Sequence, residues 1–280
     1  MSGVKKVKYG VIFEIKEFGV YDGPGLRVTV FFKGCPLRCL WCHNPEGLHF
    51  EIQTFRNLSR CKGCGLCESD GRLHTDICPD NLVKTVGCKM TARELAGTIM
   101  IYGGFMEAGG GVTFSGGEPL MQHEFLMETL DALPAGLHKV LETSGYAGEE
   151  IFRQTVRRFD LVYIDLKHMD DEIHRRLTGV SNRQILENIQ ALQGMALPYI
   201  VRIPLIPGLT DTEENLRMSA VFLRELRGLS GVELLPYNKL TGAKYRSWGL
   251  MYHPEFDETK PVNANIGIFK EYGLDGVKSI

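Results

Sequence analysis

Three cysteines stand close together near the start of the chain: Cys35, Cys39 and Cys42, in the pattern C-x3-C-x2-C. Thiolates at this spacing can bind three irons of a four-iron, four-sulfur cluster and leave the fourth iron without a protein ligand. An open position on a metal can bind a substrate, as it does at a catalytic zinc. Chemistry at an open iron is therefore the first hypothesis. A zinc site, with His43 as a further ligand, and a chance grouping of cysteines are the alternatives.

A second group, Cys61, Cys64 and Cys67, has the pattern C-x2-C-x2-C and resembles the start of a bacterial ferredoxin cluster site. Such a site needs a fourth ligand. Cys78, which precedes a proline, is favoured over Cys88. Five cysteines are too few for two complete four-cysteine sites, so we expect one cluster here. A structural zinc site made of four of these thiolates is the alternative.

The composition fits an ordinary globular protein, with 280 residues, 44% hydrophobic and 24% charged, and a formal net charge of −2. This charge gives no general attraction to nucleic acid. No apolar run approaches the ~20 residues that cross a bilayer, and the basic N-terminal segment lacks the apolar core of a signal peptide. We therefore expect a cytoplasmic protein, in which clustered cysteines bind metal more often than they form disulfides.

Strand and helix patterns alternate along most of the chain and indicate the elements that position these residues. A β-branched and aromatic run at 28–32 predicts a buried strand directly before the first cysteines. Thr91 and Glu94 have the spacing of a capping box at the start of a helix. Strands are predicted at 112–114, 139–141, 161–166, 199–206 and 232–235, and helices at 124–133, 149–159, 170–193 (one or two) and 212–226.

Repeated strand–helix units favour a parallel sheet with right-handed crossovers. About six units are present, so we predict an α/β fold, a partial (β/α)6 TIM-like barrel. The stretch 52–89 is polar, rich in cysteine and glycine, and without a long periodic element. It is predicted to be a small ferredoxin-like cluster insertion, which leaves 1–51 and 90–280 to form the barrel.

Several polar residues follow predicted strands, where active sites of α/β barrels lie. Ser115-Gly116-Gly117-Glu118 is one such loop; its glycines allow close approach of a ligand, and Glu118 can accept hydrogen bonds from an ammonium group. The triple glycine before it lacks the context of a dinucleotide-binding loop. Asp165 and Lys167 lie at the end of an apolar strand. They are either site residues or a structural ion pair. Arg202 lies within a strand and needs an anionic partner, either a cofactor carboxylate or Asp165.

The first cysteine triplet, with Trp41 before its last cysteine, resembles the signature of radical S-adenosylmethionine (radical SAM) enzymes. A more specific resemblance, to the activating enzymes of glycyl-radical enzymes, covers most of the chain. It rests on segments that share one order and spacing: Asp22-Gly-Pro-Gly25-Leu-Arg27, Phe31-Phe-Lys-Gly34, His43-Asn44-Pro45-Glu46, Phe114-Ser-Gly-Gly-Glu118-Pro119, Asp165-Leu166-Lys167, Asp171-Glu-Ile-His174, Gly179-Val-Ser-Asn182, Arg202, Pro204-Leu-Ile-Pro207-Gly208 and Leu234-Leu-Pro-Tyr237.

This resemblance implies that the open iron chelates the amino and carboxylate groups of S-adenosylmethionine, with the three cysteines and Lys167 as catalytic residues. It places the loop with Gly116, Gly117 and Glu118 near the methionine amino group and Lys167 near the carboxylate. Thr143 and Ser144 would face the ribose or the same carboxylate, and Asp165 a possible monovalent cation. Trp41, Arg202 and Asn238 complete the predicted cofactor site. Asn238 stands where relatives often have histidine, so no proton transfer is expected there.

The implied reaction forms a 5′-deoxyadenosyl radical that removes hydrogen from a glycine Cα of a partner glycyl-radical enzyme. Flavodoxin or ferredoxin would supply the electron. Because pyruvate formate-lyase activators usually lack the cysteine-rich insertion, we expect another partner, such as a dehydratase, decarboxylase or C–N lyase. The alternatives are a radical enzyme acting on a small molecule or a modified base, and an electron-transfer protein with two clusters that does not bind S-adenosylmethionine.

Overall fold

The computed structural model describes residues 8–106 and 109–280, so residues 1–7 of the predicted basic N-terminal segment lie outside the described residues. Within them, nine strands form one sheet and four form two small hairpins. Numbered along the chain, the strands are β1 (Tyr9–Gly19), β2 (Arg27–Phe32), β3 (Gln53–Arg56), β4 (Glu68–Ser69), β5 (Arg72–Leu73), β6 (Val83–Val86), β7 (Cys88–Thr91), β8 (Gly111–Gly116), β9 (His138–Thr143), β10 (Leu161–Asp165), β11 (Tyr199–Leu205), β12 (Leu229–Pro236) and β13 (Val277–Ser279).

The large sheet has the spatial order β13-β12-β11-β10-β9-β8-β2-β1-β7. Every neighbouring pair from β2 to β13 is parallel, whereas β1 pairs antiparallel with both β2 and β7. Strands β2 and β8–β12 are the six predicted strand units, and the prediction of an α/β fold with a partial six-unit barrel is confirmed. The antiparallel strands β1 and β7 and the last strand, β13, were not predicted.

Helices cover the outer face of the sheet. They are α1 (Ala92–Met100), α2 (Gly103–Met106), α3 (His123–Ala132), α4 (Glu149–Val156), α5 (Asp171–Thr178), α6 (Arg183–Ala191), α7 (Glu213–Arg224), α8 (Thr241–Ser247) and α9 (Ile266–Glu271). The predicted helical stretch 170–193 is two helices, because Gly179 ends α5 in a left-handed conformation, φ +82°. In the described part of the chain, no helix is long and apolar enough to cross a membrane.

Helix α1 begins at the predicted capping box. The Thr91 hydroxyl accepts a hydrogen bond from the Glu94 backbone N–H at 3.2 Å, and the Glu94 carboxylate accepts one from the Thr91 N–H at 2.7 Å. These two bonds satisfy backbone donors that the first turn of a helix leaves without partners. Thr91 thereby fixes the point at which β7 ends and α1 begins.

The two faces of the parallel strands differ in chemistry because side chains alternate along a strand. Val28, Val30 and Phe32 of β2 are fully buried towards the helices, and the Phe32 ring lies 5.8 Å from that of Phe125 in α3. Arg27, the first residue of β2, points to the opposite face; it is also buried, and its guanidinium donates to the Thr113 hydroxyl at 2.7 Å. The outer face therefore forms the apolar core, whereas polar groups line the inside of the barrel.

The inserted stretch forms two small hairpins, β3 with β6 and β4 with β5. Strand β7, which contains Cys88, follows them but belongs to the large sheet, where Cys88 faces Ile12 of β1. The boundary predicted at residue 89 therefore falls inside a barrel strand. We call the stretch from Gln53 to Val86, which these hairpins span, the insertion module.

Candidate functional site

A cavity of about 290 Å³ opens where the carboxyl ends of β8–β12 meet the loop after β2. Its volume is at the low end of the roughly 300–1,000 Å³ of small-molecule sites. The cavity brings together all but one of the residues predicted for the first cluster and its cofactor. These are Cys35, Cys39, Trp41, Cys42, Gly116, Gly117, Thr143, Ser144, Asp165, Lys167, Arg202 and Asn238.

Backbone hydrogen bonds hold the first cysteine loop against two other parts of the chain. The Cys35 N–H donates to the Leu48 carbonyl at 3.2 Å, and the N–H groups of Arg38 and Leu40 donate to carbonyls at the end of α5. Trp41 is buried and packs with Tyr237, which follows β12. The loop is therefore fixed by the barrel rather than by its own secondary structure, and its three thiols face one cavity.

The environment of these thiols disfavours thiolates in the absence of a bound cation. Burial raises the pKa of Cys35 and Cys42, and it raises that of Cys39 to about 12. Iron supplies the missing positive charge, and three soft sulfur donors are the ligands that iron–sulfur clusters use. This donor set fits three irons of a cluster. His43, the alternative ligand, lines the same cavity with an exposed side chain.

No three His, Cys, Asp or Glu side chains of residues 8–106 and 109–280 are close enough to share one metal ion. A single zinc ion needs its ligands around one centre. In a four-iron cluster each thiolate binds a different iron, so the sulfurs stand further apart.

Lys167 and Asp165 form an ion pair inside the cavity, with Lys167 Nζ 2.7 Å from Asp165 Oδ2. Lys167 is buried, which by itself lowers the pKa of an amine, but Asp165 together with Cys39 and Cys35 more than offsets this and raises it. Lys167 is thus a fixed positive charge, and its charge also acts on Cys39. The predicted alternatives, site residue and structural ion pair, are compatible here because the pair lies beside the cysteines.

Glu118 lies behind the cavity wall rather than in it. The side chain is fully buried, and its two oxygens accept hydrogen bonds from the Thr143 hydroxyl at 2.7 Å, from the N–H and hydroxyl of Ser144, and from the Leu120 N–H at 3.1 Å. These donors occupy the carboxylate, so the expected direct contact with a ligand ammonium group is absent from this arrangement. Glu118 instead positions Thr143 and Ser144, which line the cavity.

Arg202 is held by two carboxylates that were not predicted as its partners. Its Nη1 lies 2.6 Å from Glu142 Oε1 and its Nε 2.8 Å from Glu233 Oε2. The guanidinium also stacks on the Tyr163 ring, 3.6 Å from the ring centre. Asp165, one of the two anionic partners predicted for Arg202, does not pair with it: Asp165 is its register neighbour but forms its ion pair with Lys167.

Burial raises the pKa of Glu142, and Arg202 opposes that rise. Burial lowers the pKa of Arg202, but the carboxylates of Glu142 and Glu233 outweigh this effect and raise it. Glu233 was missed in the sequence, although one signal was available. It is the single charged residue in the apolar run Val232–Leu235, and a buried charge in a strand needs a partner.

The second cysteine group lies mainly in the insertion module. Lys62, between Cys61 and Cys64, forms an ion pair of 3.1 Å with Asp80, two residues after Cys78. The loop of Cys78 therefore lies beside the loop that begins the group. The exposed Cys88 lies on β7, where its sulfur is 3.9 Å from the Lys89 carbonyl oxygen.

The fold and cavity geometry agree with comparisons to known proteins. The Radical SAM superfamily model matches residues 29–218, more than half of the chain. This chain belongs to the radical SAM superfamily. Within the superfamily it is similar to activating enzymes along nearly its whole length. The isethionate sulfite-lyase activating enzyme of Oleidesulfovibrio alaskensis is 36% identical, over 95% of this chain and 97% of the relative.

Two further relatives activate different enzymes. The choline trimethylamine-lyase activating enzyme of Oleidesulfovibrio alaskensis is 37% identical, over 86% of this chain and 88% of the relative. The 4-hydroxyphenylacetate decarboxylase activating enzyme of Clostridium scatologenes is 36% identical, over 87% and 88%. These radical SAM relatives are activases of glycyl-radical enzymes, which confirms the family predicted from the motifs.

Proposed function

We propose that this chain activates a glycyl-radical enzyme by cleaving S-adenosylmethionine in the 290 Å³ cavity. The observation that carries the proposal is the meeting of Cys35, Cys39 and Cys42 with the Lys167–Asp165 pair in one cavity at the carboxyl edge of the barrel. The similarity to activating enzymes of a C–S lyase, a C–N lyase and a decarboxylase supports the reaction class. A radical enzyme for small molecules has no comparable support.

The three cysteines would hold three irons, and the fourth iron would bind the amino and carboxylate groups of S-adenosylmethionine. When bound and reduced, the cluster supplies one electron to the sulfonium, whose C5′–S bond breaks to give methionine and a 5′-deoxyadenosyl radical. That radical takes a hydrogen atom from a glycine Cα, so the products are 5′-deoxyadenosine and a glycyl radical on the partner. One external electron is consumed in each activation.

The protein's part is to position the cofactor. Gly116 and Gly117 bring the backbone to the cavity surface, where a side chain would collide with neighbouring backbone atoms, and we assign them to the methionine amino group. We assign Lys167 to the cofactor carboxylate, since its charge is fixed by Asp165. Thr143 and Ser144, held by Glu118, would face the ribose or carboxylate. Trp41, Arg202 and Asn238 line the remaining wall.

The monovalent cation stays a prediction for Asp165. Its carboxylate oxygen Oδ2 is already 2.7 Å from the ammonium group of Lys167. A cation would therefore have to bind through the other oxygen, in competition with a fixed positive charge. Glu142, near the end of β9, also lines the cavity. Its carboxylate is occupied by Arg202 and by the hydroxyl of Ser115.

We propose that the insertion module, corresponding to the predicted domain 52–89, holds a second four-iron cluster on Cys61, Cys64, Cys67 and Cys78. The Lys62–Asp80 ion pair supports Cys78 as the fourth ligand rather than Cys88. The Leu82 N–H donates to Cys78 Sγ at 3.3 Å and lowers the pKa of this thiol. N–H donors to sulfur are common around iron–sulfur clusters and stabilise the thiolate.

The electron donor and the compartment are further parts of the proposal. A flavodoxin or ferredoxin would reduce the clusters. None of the eight cysteines, all of which lie among the described residues, forms a disulfide, which suits a reducing cytoplasm. The partner is a glycyl-radical enzyme of a class such as a dehydratase, a decarboxylase or a C–N or C–S lyase. Its glycine loop must leave its own core to enter the cavity.

The test is anaerobic incubation of the reconstituted protein with reductant, S-adenosylmethionine and candidate glycyl-radical enzymes. A glycyl-type EPR doublet on one partner, with 5′-deoxyadenosine formed in proportion, is expected. Cys39→Ala should abolish both, whereas Cys88→Ala on β7 should not. Failure of the loaded protein to bind S-adenosylmethionine would leave only an electron carrier. Formation of 5′-deoxyadenosine without a protein radical on any partner class would favour a small-molecule substrate.

A further inference from the structure

Helix α8 carries a lysine that reaches the end of the first cysteine loop. Lys244 Nζ donates to Asn44 Oδ1 at 2.8 Å and lies 2.7 Å from Glu46 Oε1. Asn44 lines the cavity and comes two residues after Cys42. This contact joins residues 200 positions apart in the chain, so it fixes the loop from outside the barrel.

The carboxylate of Glu46 makes this contact electrostatically important. Its side chain is 5% exposed, and its second oxygen, Oε2, is buried with no hydrogen-bond partner among the described residues. A buried carboxylate is costly without a cation beside it. Lys244 supplies that cation, so the two side chains form a neutral pair beside the first cysteine loop.

Both charges of this pair act on the first cysteines. Lys244 contacts Asn44, two residues after Cys42, and Glu46, four residues after it, so both charges lie beside the loop that holds the cysteines. Charges that act on a thiolate also act on a cluster bound to it. Net charge near an iron–sulfur cluster is one of the factors that set its reduction potential.

The other end of α8 contacts the insertion module. Trp248, the residue after α8, has its ring 5.3 Å from that of Phe55 in β3. At Gly249 a Cβ atom would lie 2.9 Å from the Arg56 carbonyl oxygen, so the two backbones touch. Helix α8 thus connects the insertion module to the first cysteine loop. Contacts with both of them determine the position of Lys244.

We propose that Lys244 is a positioning residue for the first cluster: it holds Asn44 and Glu46 at the end of the cysteine loop, and its charge balances Glu46 to set the reduction potential. This inference rests on the proposed function, because it requires a cluster on Cys35, Cys39 and Cys42. Lys244 acts through Asn44 and Glu46, and it has no role in the transfer of hydrogen.

The sign of the effect follows from charge. One-electron reduction makes the cluster more negative, so a nearby positive charge stabilises the reduced form and a nearby negative charge destabilises it. Lys244→Met removes the cation that contacts the Glu46 carboxylate and leaves only Lys33, which donates to the Glu46 backbone carbonyl, so the potential should move to more negative values. Glu46→Gln leaves Lys244 uncompensated and should move it to more positive values. The double variant restores a neutral pair and should return close to the wild-type potential.

The experiment is an EPR-monitored redox titration of the cluster-loaded proteins, in which the first cluster is identified as the signal that changes when S-adenosylmethionine is added. Lys244→Met, Glu46→Gln and the double variant form a double-mutant cycle. Lys244→Arg should keep the wild-type potential because the charge is retained. Lys270→Met, on the exposed surface of α9, removes the same charge and should leave the potential unchanged.

Opposite shifts in the two single variants, with recovery in the double, support the proposal. A purely structural role would lower the iron content of both variants without opposite shifts, and it would overturn the proposal. Unchanged potential in Lys244→Met would also overturn it. If Lys244→Met does not fold, the shift in Glu46→Gln still gives the sign, and Lys244→Arg shows whether retaining the charge retains the potential. A separate outcome concerns the proposed function itself. If S-adenosylmethionine does not change the EPR signal of the wild-type protein, the proposed function is refuted.

Discussion

Arg202 and Glu233 face each other on neighbouring parallel strands and form an ion pair of 2.8 Å inside the barrel. On its other side, Arg202 binds Glu142 at 2.6 Å. All three side chains are almost removed from water, which is expensive for isolated charges. The guanidinium is the cation that Glu142 contacts, whereas Glu233 also binds the more exposed Lys278 at 3.0 Å.

Replacing Arg202 with Met should destabilise the protein strongly at neutral pH, because Glu142 then stays buried without a cation and Glu233 keeps only the exposed Lys278. Removal of one partner from a buried ion pair costs roughly 3–5 kcal/mol. Urea unfolding under anaerobic conditions measures this loss. The control is Arg217→Met, which removes an arginine from exposed pairs with Glu213 and Glu271.

Exposed ion pairs contribute up to about 1 kcal/mol, so the control should lose much less stability than Arg202→Met. Equal losses in the two variants would mean that the barrel interior is well hydrated around Arg202. Direct participation of Arg202 in cofactor binding would appear separately, as weaker S-adenosylmethionine binding in protein that is still folded.

Much of the site could be predicted because it follows local rules. The strand before the first cysteines and the alternating units fixed a parallel sheet, and residues after parallel strands meet at one edge. Asp165, Ser144 and Gly117 came from three different strand ends and line one cavity. The capping box at Thr91 was equally local, since both of its bonds lie within four residues.

The remaining features depend on pairing between distant parts of the chain. Strand β7 was missed because its partner, β1, is separated from it in sequence by β2 and the whole insertion. For the same reason Cys88, which reads as part of the module, lies on the barrel sheet. Glu118 was expected in the cavity, but the turn after β8 directs its carboxylate to Ser144 instead. Which carboxylate meets Arg202 is decided by strand order and side-chain direction, not by a motif.

Replacing Lys167 with Met should weaken binding of S-adenosylmethionine by about 10- to 100-fold, the effect of losing a hydrogen bond to a charged group, ~1.5–3 kcal/mol. The reason is that Lys167 is a buried, permanently charged donor among the cavity-lining residues. Anaerobic equilibrium dialysis with labelled cofactor measures the dissociation constant. The matched control is Lys139→Met. Lys139 lies at the end of β9 that is away from the cavity, so this variant should bind the cofactor normally. Unchanged binding in Lys167→Met would assign the carboxylate to another cation.

Replacing Cys78 with Ala should remove about half of the bound iron, because a four-iron cluster with three ligands left in an exposed module is poorly retained. Cys88→Ala should keep the wild-type iron content, since Cys88 lies on β7. Iron analysis and EPR of the reduced proteins measure the difference. Loss of iron in Cys88→Ala but not in Cys78→Ala would make Cys88 the fourth ligand. Stoichiometric zinc in the wild-type protein would mean that the module holds a zinc site and not a cluster.

His174 in α5 is a buried histidine next to the segment that supports the first cysteine loop. Its Nδ1 lies 2.8 Å from the Val180 carbonyl oxygen, and its Nε2 is buried without a partner among the described residues. Burial lowers the pKa of His174 to about 4, although the Val180 carbonyl opposes this. Protonation would add a charge and a donor that the surrounding residues do not accept, so the folded protein keeps this ring neutral.

The stability of the protein should therefore fall as the pH drops from 7 towards 5. In this window the unfolded chain protonates His174, whose ordinary pKa is about 6.5, while the folded protein does not, so acid favours unfolding by about 1 to 2 kcal/mol. His174→Asn cannot titrate and should lose this part of the pH dependence, whatever its effect at pH 7. Anaerobic urea unfolding at pH 7 and pH 5 measures this difference, and any acid sensitivity of the clusters cancels in the difference between variant and wild type.

His253→Asn, at an exposed position, should retain the wild-type dependence. Identical pH dependence in His174→Asn and wild type would show that the ring is protonated equally in the folded and unfolded states.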